Sequence, residues 1–327
     1  MRKIVNQLLS DLKLTPVLVD IGASIRPPAI WDSIASHSVY VGFDPDLREI
    51  HEERSGHFQR SVILDEAVVA AAAPDVTFYL TRSPFCNSVL TPAPELMSNW
   101  LCRDEFEVER TVTVKATTIA AAMTRVGVDA LDWLKVDSQG IDLTLFNSIE
   151  PGLRARVLAL DIEPGFVEAY RNQDLFVDVD HDLSHNGFWL ADARIGGFIR
   201  MRPTTLQAAR VMDSRFNEAF VKKALRTSPG YCNTRYLRTI EWLVQNSFPE
   251  REYVLLWVFA AMDQHLGFCL DLALEFERTF GKSDVSRRLT ESTWLLMKRA
   301  HFRRRARGAL APLNRAVYRV LRKIVHR

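Results

Sequence analysis

Val17-Leu-Val-Asp-Ile-Gly-Ala-Ser24 and Val39-Tyr-Val-Gly-Phe-Asp-Pro-Asp46 are the two stretches of the chain that decide its fold. Each is a short apolar run that ends in an acid, Asp20 in the first and Asp44 in the second. This pattern predicts two parallel strands joined by a crossover. The first strand ends in a tight turn whose backbone a ligand can approach, and the second ends in an acid that can bind ribose hydroxyls. The sequence therefore predicts a nucleoside pocket, with Asp20, Gly22, Ala23, Ser24 and Asp44 as candidate cofactor-binding residues.

The turn after the first run contains a single glycine, Gly22, where a dinucleotide-binding turn has three. A pyrophosphate needs close approach to several backbone amides, so this turn disfavours a nucleotide-dependent oxidoreductase. A buried strand followed by a glycine turn, with no ligand, is the alternative interpretation.

The composition is typical of globular proteins. Of 327 residues, 47% are apolar and 25% are charged, and this length allows one large domain or two. The four cysteines form no C-x-x-C pair, which predicts neither a zinc site nor a disulfide framework and fits a reducing, cytoplasmic setting. The sequence has no signal-peptide pattern and no apolar run of about 18 residues, so we expect no membrane-spanning helix.

The charge is distributed unevenly, because the segment from Lys298 to Arg327 holds 11 Lys or Arg and no Asp or Glu. The rest of the chain carries 31 basic and 40 acidic residues. From 303 to 327, apolar residues recur at helical spacing between basic ones, which predicts a basic amphipathic helix. Such a helix lies on an anionic membrane surface, here the inner face of the membrane, or packs on the acidic body of its own chain. Its few aromatic residues disfavour nucleic acid as a partner.

Strand-like and helix-like stretches alternate over the first 202 residues. The predicted strands are 17–21, 39–43, 61–64, 76–80, 108–115, 133–137, 156–162, 176–179 and 188–191, and the predicted helices include 1–14, 29–35, 118–125 and 165–172. This alternation predicts an α/β fold with a doubly wound, mostly parallel sheet. After residue 203 we see helical periodicity and no strand. We therefore predict an α/β domain over 1–202, a helical region over 203–297 and the basic tail over 298–327.

Acids stand at the carboxyl ends of four predicted strands: Asp20, Asp44, Asp65 and Asp137. Ligands of open α/β sheets bind at that edge, so we expect these side chains to share one site. Asp65, which follows the third strand, is a further cofactor-binding candidate, positioned to reach an adenine ring.

Several blocks of the sequence, taken in order, resemble the FkbM-type methyltransferases, a branch of the class I enzymes that use S-adenosylmethionine (SAM). They include Asp20-Ile-Gly-Ala23, Val41-Gly-Phe-Asp-Pro45 and, most specific, Asp132-Trp-Leu-Lys-Val-Asp-Ser-Gln-Gly140. The resemblance spans residues 15–195. It implies a Rossmann-like class I methyltransferase fold, SAM as cofactor, and methylation of a hydroxyl on a sugar, glycolipid or secondary-metabolite acceptor.

The chain departs from the family pattern at two places. Ser24-Ile-Arg-Pro-Pro28 replaces the usual Asn-x-Gly after the first motif, and Gln139 stands where the family usually has an acid. A glutamine side chain forms hydrogen bonds but does not ionise. These departures keep a second interpretation open, in which the chain is a catalytically inactive binding or assembly protein of glycan biosynthesis with the same fold.

Methylation of a hydroxyl needs a group that accepts its proton. The candidate catalytic residues are Asp137 at the end of a strand, Glu163, and His181 in a segment predicted as a loop. Each has a structural alternative, since Asp137 can cap the next helix and most histidines of such segments are solvated. No histidine stands at ligand spacing from the carboxylates, so we predict no metal site.

Overall fold

The computed structural model describes residues 1–23, 26–45 and 57–302. The strands are β1 (Val17–Ile21), β2 (Val39–Phe43), β3 (Arg60–Leu64), β4 (Ala67–Val68), β5 (Asp75–Thr81), β6 (Val108–Thr117), β7 (Trp133–Val136), β8 (Ala159–Ile162), β9 (Phe188–Phe198) and β10 (Ser228–Arg238). The helices are α1 (Arg2–Asp11), α2 (Ile119–Val126), α3 (Asp142–Ser148), α4 (Pro151–Ala155), α5 (Phe176–His185), α6 (Pro203–Met212), α7 (Glu218–Ala224), α8 (Ile240–Gln245), α9 (Glu250–Met262), α10 (Leu266–Phe280) and α11 (284–302). Short 3₁₀ turns occupy Ala29–Ser33, Ala35–His37, Pro84–Cys86 and Arg103–Phe106.

The main sheet has the strand order β3-β2-β1-β7-β8-β10-β9. Its first five strands are parallel, and β10 runs antiparallel to both β8 and β9. Strand β1 lies in the interior of the sheet and is buried along its whole length, as its continuous apolar run predicts. A doubly wound, mostly parallel sheet with flanking helices confirms the predicted fold class, a Rossmann-like α/β fold.

Helices cover both faces of this sheet. On one face, α1, α9 and α10 pack with Leu18 and Trp133, and on the other, α2, α3 and α5 pack with Val19 and Leu134. Helix α9 is buried over almost its whole length, so the C-terminal helices belong to the same core as the sheet. Within the described ranges, no helix is long and apolar enough to cross a lipid bilayer.

A smaller sheet with the order β4-β6-β5 is built from the chain between β3 and α2. The segment 83–89 folds back along β5, where Tyr79 and Ser88 form a β-bridge. The Ser88 hydroxyl donates to the Gln139 carbonyl at 2.8 Å, which ties this small sheet to the turn after β7. The small sheet is therefore anchored at the carboxyl edge of the main sheet.

The structure corrects two predicted elements between β8 and β9. Residues 165–172 contain no helix, and residues 176–179, predicted as a strand, are the first turn of α5. The buried residues of α5 are Val179 and Leu183, four positions apart, which is the spacing of a helix face packed on a sheet. An apolar run as short as 176–179 does not distinguish a strand from a helix by its pattern.

Strand β10 corrects the expectation that only helices follow residue 203. It inserts between β8 and β9, so the main sheet extends beyond the predicted boundary at residue 202. Pro229 stands in the part of β10 that reaches past β8, where a missing amide donor costs no bond to that strand. A bulge between Pro229 and Tyr231 makes the start of the strand irregular, while every second residue from Gly230 to Tyr236 is buried.

Candidate functional site

A cavity of about 840 Å³ opens where the parallel strands end. Its lining comes from the turns after β1, β2, β7 and β8, from the small sheet, and from residues 83–89 and 105–106. The strand order reverses between β1 and β7, and a crevice forms at such a reversal because the crossovers leave on opposite faces of the sheet. The cavity therefore lies at the edge where the sequence predicts a ligand site.

The turn after β1 brings Gly22 against the backbone that follows β7. Gly22 has a φ of +81°, and a Cβ atom there would lie 2.2 Å from the Asp137 carbonyl oxygen. The amides of Gly22 and Ala23 both donate to the Phe43 carbonyl at 3.0 Å. Gly22 lines the cavity, whereas Ala23 is buried and does not contribute to the lining. Ser24, the other candidate in this turn, lies outside the described residues.

Asp20 lies beneath the cavity rather than on its wall. Its carboxylate is fully buried and accepts hydrogen bonds from the Tyr40 hydroxyl at 3.1 Å and from Lys135 Nζ at 2.9 Å. Burial lowers the pKa of Lys135, but the carboxylates of Asp20 and Asp137 outweigh burial and raise it, so the ammonium stays charged. Asp20 thus joins β1 to β2 and β7 inside the sheet.

Asp44, at the end of β2, lines the cavity with 5% of its surface exposed. Its amide donates to the Leu64 carbonyl at 3.1 Å, which fixes it beside the end of β3. Asp65 is exposed and does not line the cavity, so the structure does not bring this candidate to the site. Successive side chains of extended backbone point to opposite sides, and the next residue, Glu66, lines the cavity instead and pairs with Arg125.

Asp137 lines the cavity at the end of β7, and its amide donates to the Ile21 carbonyl at 3.0 Å. Its Oδ1 atom accepts a hydrogen bond from Gln139 Nε2 at 2.7 Å. Gln139 has a left-handed backbone, with a φ of +58°, and its Oε1 atom accepts from the Tyr170 hydroxyl at 3.2 Å. Gln139 therefore stabilises the Asp137 carboxylate as a neutral donor, which an ionised acid at this position does not do.

Glu163, at the end of β8, lies against Asp137 in the cavity. The two side chains share a hydrogen bond, and Asn233 Nδ2 donates to Glu163 Oε1 at 2.8 Å. Burial, together with the nearby carboxylates of Asp137 and Asp142, raises the pKa of Glu163 to about 8. Glu163 therefore keeps its proton to a higher pH than an ordinary carboxyl group.

Asp142 is buried at the start of α3, close to this pair. It accepts hydrogen bonds from the Ser138 amide at 2.9 Å and from the Glu163 amide at 3.0 Å. Burial, and after it the charge of Asp137, raises the pKa of Asp142 to about 7. By bridging the turn after β7 and the end of β8, Asp142 sets the separation of Asp137 and Glu163.

The structure does not bring His181 to the cavity. The segment predicted as a loop is helix α5, and His181 is exposed on it beside His185, with ring centroids 4.4 Å apart. The first residue of α5, Phe176, hydrogen-bonds Gly165 in the cavity lining. From there the helix leads to the start of β9, at the opposite edge of the sheet, and carries His181 away from the cavity.

The cavity is acidic. Five carboxyl side chains contribute to the lining: Asp44, Glu66, Glu105, Asp137 and Glu163. In the part of the chain that the structure describes, no Lys, Arg or His lines it. Such a cavity attracts a cationic ligand and repels phosphate groups. Nor do the described residues contain a group of three or more His, Cys, Asp or Glu arranged to hold a metal ion.

Four polar residues at or beside the site were not among the candidates from the sequence: Glu66 and Asp142, described above, and Asn233 and Glu105. Asn233 was hidden because β10 was not recognised, although the burial of every second residue from Cys232 to Tyr236 is a strand signal. Glu105 reaches the cavity from the 3₁₀ turn before β6, and nothing in the sequence near it indicates a site. Both depend on long-range contacts rather than on a local motif.

No family model matches the chain, and no curated protein matches it. The chain is similar to magnesium protoporphyrin IX methyltransferase from Synechocystis PCC 6803, determined with SAM bound, at 11% identity and a TM-score of 0.31. The alignment covers 72% of this chain and 77% of that chain. The specific resemblance to FkbM-type enzymes stays a prediction, and function is inferred from the cavity itself.

Proposed function

We propose that the chain is a SAM-dependent methyltransferase that acts on a hydroxyl group. The observation that carries the proposal is the acidic cavity at the reversal of the strand order, lined by carboxyl groups and, among the described residues, by no cationic side chain. SAM carries a sulfonium and an ammonium against a single carboxylate, so it is a net cation without phosphate and fits a cavity of this charge. A dinucleotide does not fit, because its pyrophosphate would lie among carboxylates.

The turn residues and Asp44 are suited to hold this cofactor. Gly22 lets the backbone come close to a ligand, and Asp44 at the end of β2 is placed to accept hydrogen bonds from ribose hydroxyls. Ala23 and Asp20 support the turn from behind, through the bonds to Phe43 and Lys135. When bound, SAM supplies a methyl group on a positively charged sulfur.

The Asp137–Glu163 pair is suited to accept the proton that the acceptor hydroxyl loses. A pKa of about 8 makes Glu163 a stronger base than an ordinary carboxylate, and its ionised form is still accessible close to neutral pH. Asn233 and Asp137 fix the orientation of Glu163, and Gln139 fixes that of Asp137. Asp137 and Glu163 are therefore the proposed catalytic residues.

The charge of the cavity also bears on the acceptor. An acceptor that carries phosphate or carboxylate groups without the compensating cations of SAM would be repelled by the same carboxyl side chains, so we propose an uncharged acceptor. The acceptor class, a sugar, glycolipid or secondary metabolite, follows from the resemblance to FkbM-type enzymes.

Calorimetric titration of the full-length protein with SAM and with S-adenosylhomocysteine tests the cofactor. We expect micromolar binding of at least one of them and no heat from NAD at the same concentrations. Absence of binding at millimolar SAM and S-adenosylhomocysteine would contradict the proposal.

A second assay separates an enzyme from a binding protein. Formation of S-adenosylhomocysteine is followed while neutral sugars, glycolipids and aromatic alcohols are offered as acceptors. Turnover that is lost in Glu163→Gln supports the assigned base. Tight SAM binding with no turnover across the set would favour the inactive binding or assembly protein.

A further inference from the structure

The hairpin of β9 and β10 carries an insert, residues 199–227, that contains α6 and α7. It leaves the sheet directly after Phe198 and returns just before Gly230, and both of these residues line the cavity. The insert is also bonded to the chain before β6, because Leu101 donates its amide to the Ile199 carbonyl at 3.0 Å. The insert therefore adjoins the wall of the cavity.

The insert exposes an unusual number of apolar side chains: Val211, Met212, Phe216, Phe220 and Leu225. On α6, Leu206 is buried, while Val211 and Met212 have 90% and 87% of their surface exposed. At 100° per residue, Val211 and Met212 lie on either side of the direction opposite Leu206, so they point away from the protein body. Exposed apolar side chains concentrated in one short segment in this way indicate an interaction site.

The insert also contains seven basic residues: Arg200, Arg202, Arg210, Arg215, Lys222, Lys223 and Arg226. The two acids of the insert are already paired within it, Asp213 with Arg215 and Glu218 with Arg210. Arg215 and Lys223 line a groove together with Phe216 and Phe220. The surface is therefore apolar with a surplus of positive charge along it.

We propose that the insert docks on the surface of an anionic lipid bilayer. Its apolar side chains would enter the boundary between headgroups and acyl chains, and its basic side chains would lie among the anionic headgroups. A second copy of the chain is a poor occupant, because a symmetric contact through this surface would bring the surplus positive charges of both copies face to face. Docking does not depend on the proposed function, but it would hold the cavity next to a membrane-borne acceptor.

Co-sedimentation of the full-length protein with vesicles tests the docking. Vesicles of phosphatidylcholine alone are compared with vesicles that also contain phosphatidylglycerol. We expect binding to the anionic vesicles to fall about tenfold in Val211→Ser/Met212→Ser, which removes two apolar side chains that would enter the lipid, and also in Lys222→Ala/Lys223→Ala. The control is Val177→Ser/Ile195→Ser, which changes exposed apolar residues outside the insert and should sediment like the wild type.

A fluorescent reporter shows whether the insert itself enters the lipid, independently of the basic tail that all these variants retain. An environment-sensitive dye on Met212→Cys should shift to the blue with anionic vesicles, while the same dye on Val177→Cys should not. An absent shift, equal binding to phosphatidylcholine alone, or unchanged sedimentation of the serine variant would each overturn the proposal. Loss of a dimer in Val211→Ser/Met212→Ser without lipid would instead identify a second copy as the occupant. SAM titration of each variant keeps this result separate from the proposed function.

Discussion

Asp44 is the residue on which the proposed hydrogen bonds to the ribose of SAM depend most directly. We expect Asp44→Asn to weaken SAM binding by roughly 1–3 kcal/mol, because a charged hydrogen-bond acceptor for the ribose becomes a neutral one. Asp32→Asn, at an exposed position before β2, is the matched control and should bind like the wild type. Calorimetry on both variants checks this, and equal affinities of wild type and Asp44→Asn would remove Asp44 from the ribose site.

The raised pKa of Glu163 makes the free energy of unfolding depend on pH. Its pKa is raised from 4.5 to about 8, so between these pH values the folded protein holds a proton that the unfolded chain has released. Stability from this group is therefore present below pH 4.5 and lost as the pH rises through about 8. We expect the free energy of unfolding of the wild type to fall by about 2–4 kcal/mol over this range.

Glu163→Gln should reduce that pH dependence, because a glutamine side chain does not titrate. Some slope should persist, since Asp142, with a pKa raised to about 7, acts in the same direction. Urea unfolding at several pH values measures the slopes, with Glu250→Gln, at an exposed position, as the control. A slope in Glu163→Gln as steep as that of the wild type would show that Glu163 has an ordinary pKa.

At the scale of single residues, the sequence predicts where an acid stands along a strand better than it predicts which way the side chain points. Asp44 and Asp137 reach the cavity because they directly follow parallel strands whose ends meet there. Asp20 stands one residue too early and points into the sheet, and Asp65 points to solvent. A strand-end acid thus predicts the edge of the sheet, while its side chain direction depends on where the alternation starts.

The turn between β1 and the next element has a steric requirement that can be tested directly. Gly22→Ala would place a Cβ atom 2.2 Å from the Asp137 carbonyl oxygen, in a left-handed conformation. Gly127→Ala has the same kind of backbone, with a φ of +66°, but no atom within 4 Å of the added carbon. We expect a loss of about 1 kcal/mol for Gly127→Ala and at least about 2 kcal/mol for Gly22→Ala.

Urea unfolding of these two variants separates the contact from the backbone conformation that they share. Because the turn lines the cavity, Gly22→Ala should also lose SAM affinity, while Gly127→Ala should keep it. Equal stabilities of the two variants would show that the turn after β1 adjusts without cost.

Arg238, at the end of β10, connects three elements. Its guanidinium donates to the carbonyls of Val157 and Arg154, each at 2.8 Å, and of Asn186, and it lies 3.7 Å from the centre of the Phe188 ring. Arg238→Met would leave these carbonyls without a donor, so we expect a loss of about 2–4 kcal/mol of unfolding free energy. Arg194→Met, at an exposed position of β9, should change stability by no more than about 0.5 kcal/mol. Thermal and urea unfolding check both, and similar losses in the two variants would contradict the connecting role.

At the scale of elements, the local pattern of apolar residues is enough to predict the strands that are apolar throughout. It is not enough where a helix and a strand would show the same pattern. The strands from β1 to β3 were predicted within one residue, because buried parallel strands are apolar throughout. Helix α5 and strand β10 were not, because their identity depends on packing against the sheet. Without the packing against the sheet, the short apolar run at 176–179 predicts a strand instead of a helix, and Pro229 argues against a strand where β10 lies.

For the whole molecule, charge and exposed apolar surface are segregated by region. The cavity is acidic, the insert at 199–227 is basic and apolar, and the sequence beyond residue 302, outside the described residues, is basic. The cavity therefore favours a cationic cofactor, while the two basic regions favour an anionic surface.

Deletion of residues 308–327 tests whether the basic tail contributes to binding an anionic bilayer. It removes five basic side chains, each worth about 1 kcal/mol near an anionic bilayer, so binding to phosphatidylglycerol vesicles should fall at least tenfold. SAM affinity and unfolding free energy should not change, because the described lining of the cavity ends at Tyr231. If the tail and the insert bind lipid separately, the losses in the deletion and in Val211→Ser/Met212→Ser multiply when the two changes are combined. A deletion that binds anionic vesicles like the full chain would show that the tail does not bind lipid, and the insert alone would then account for docking.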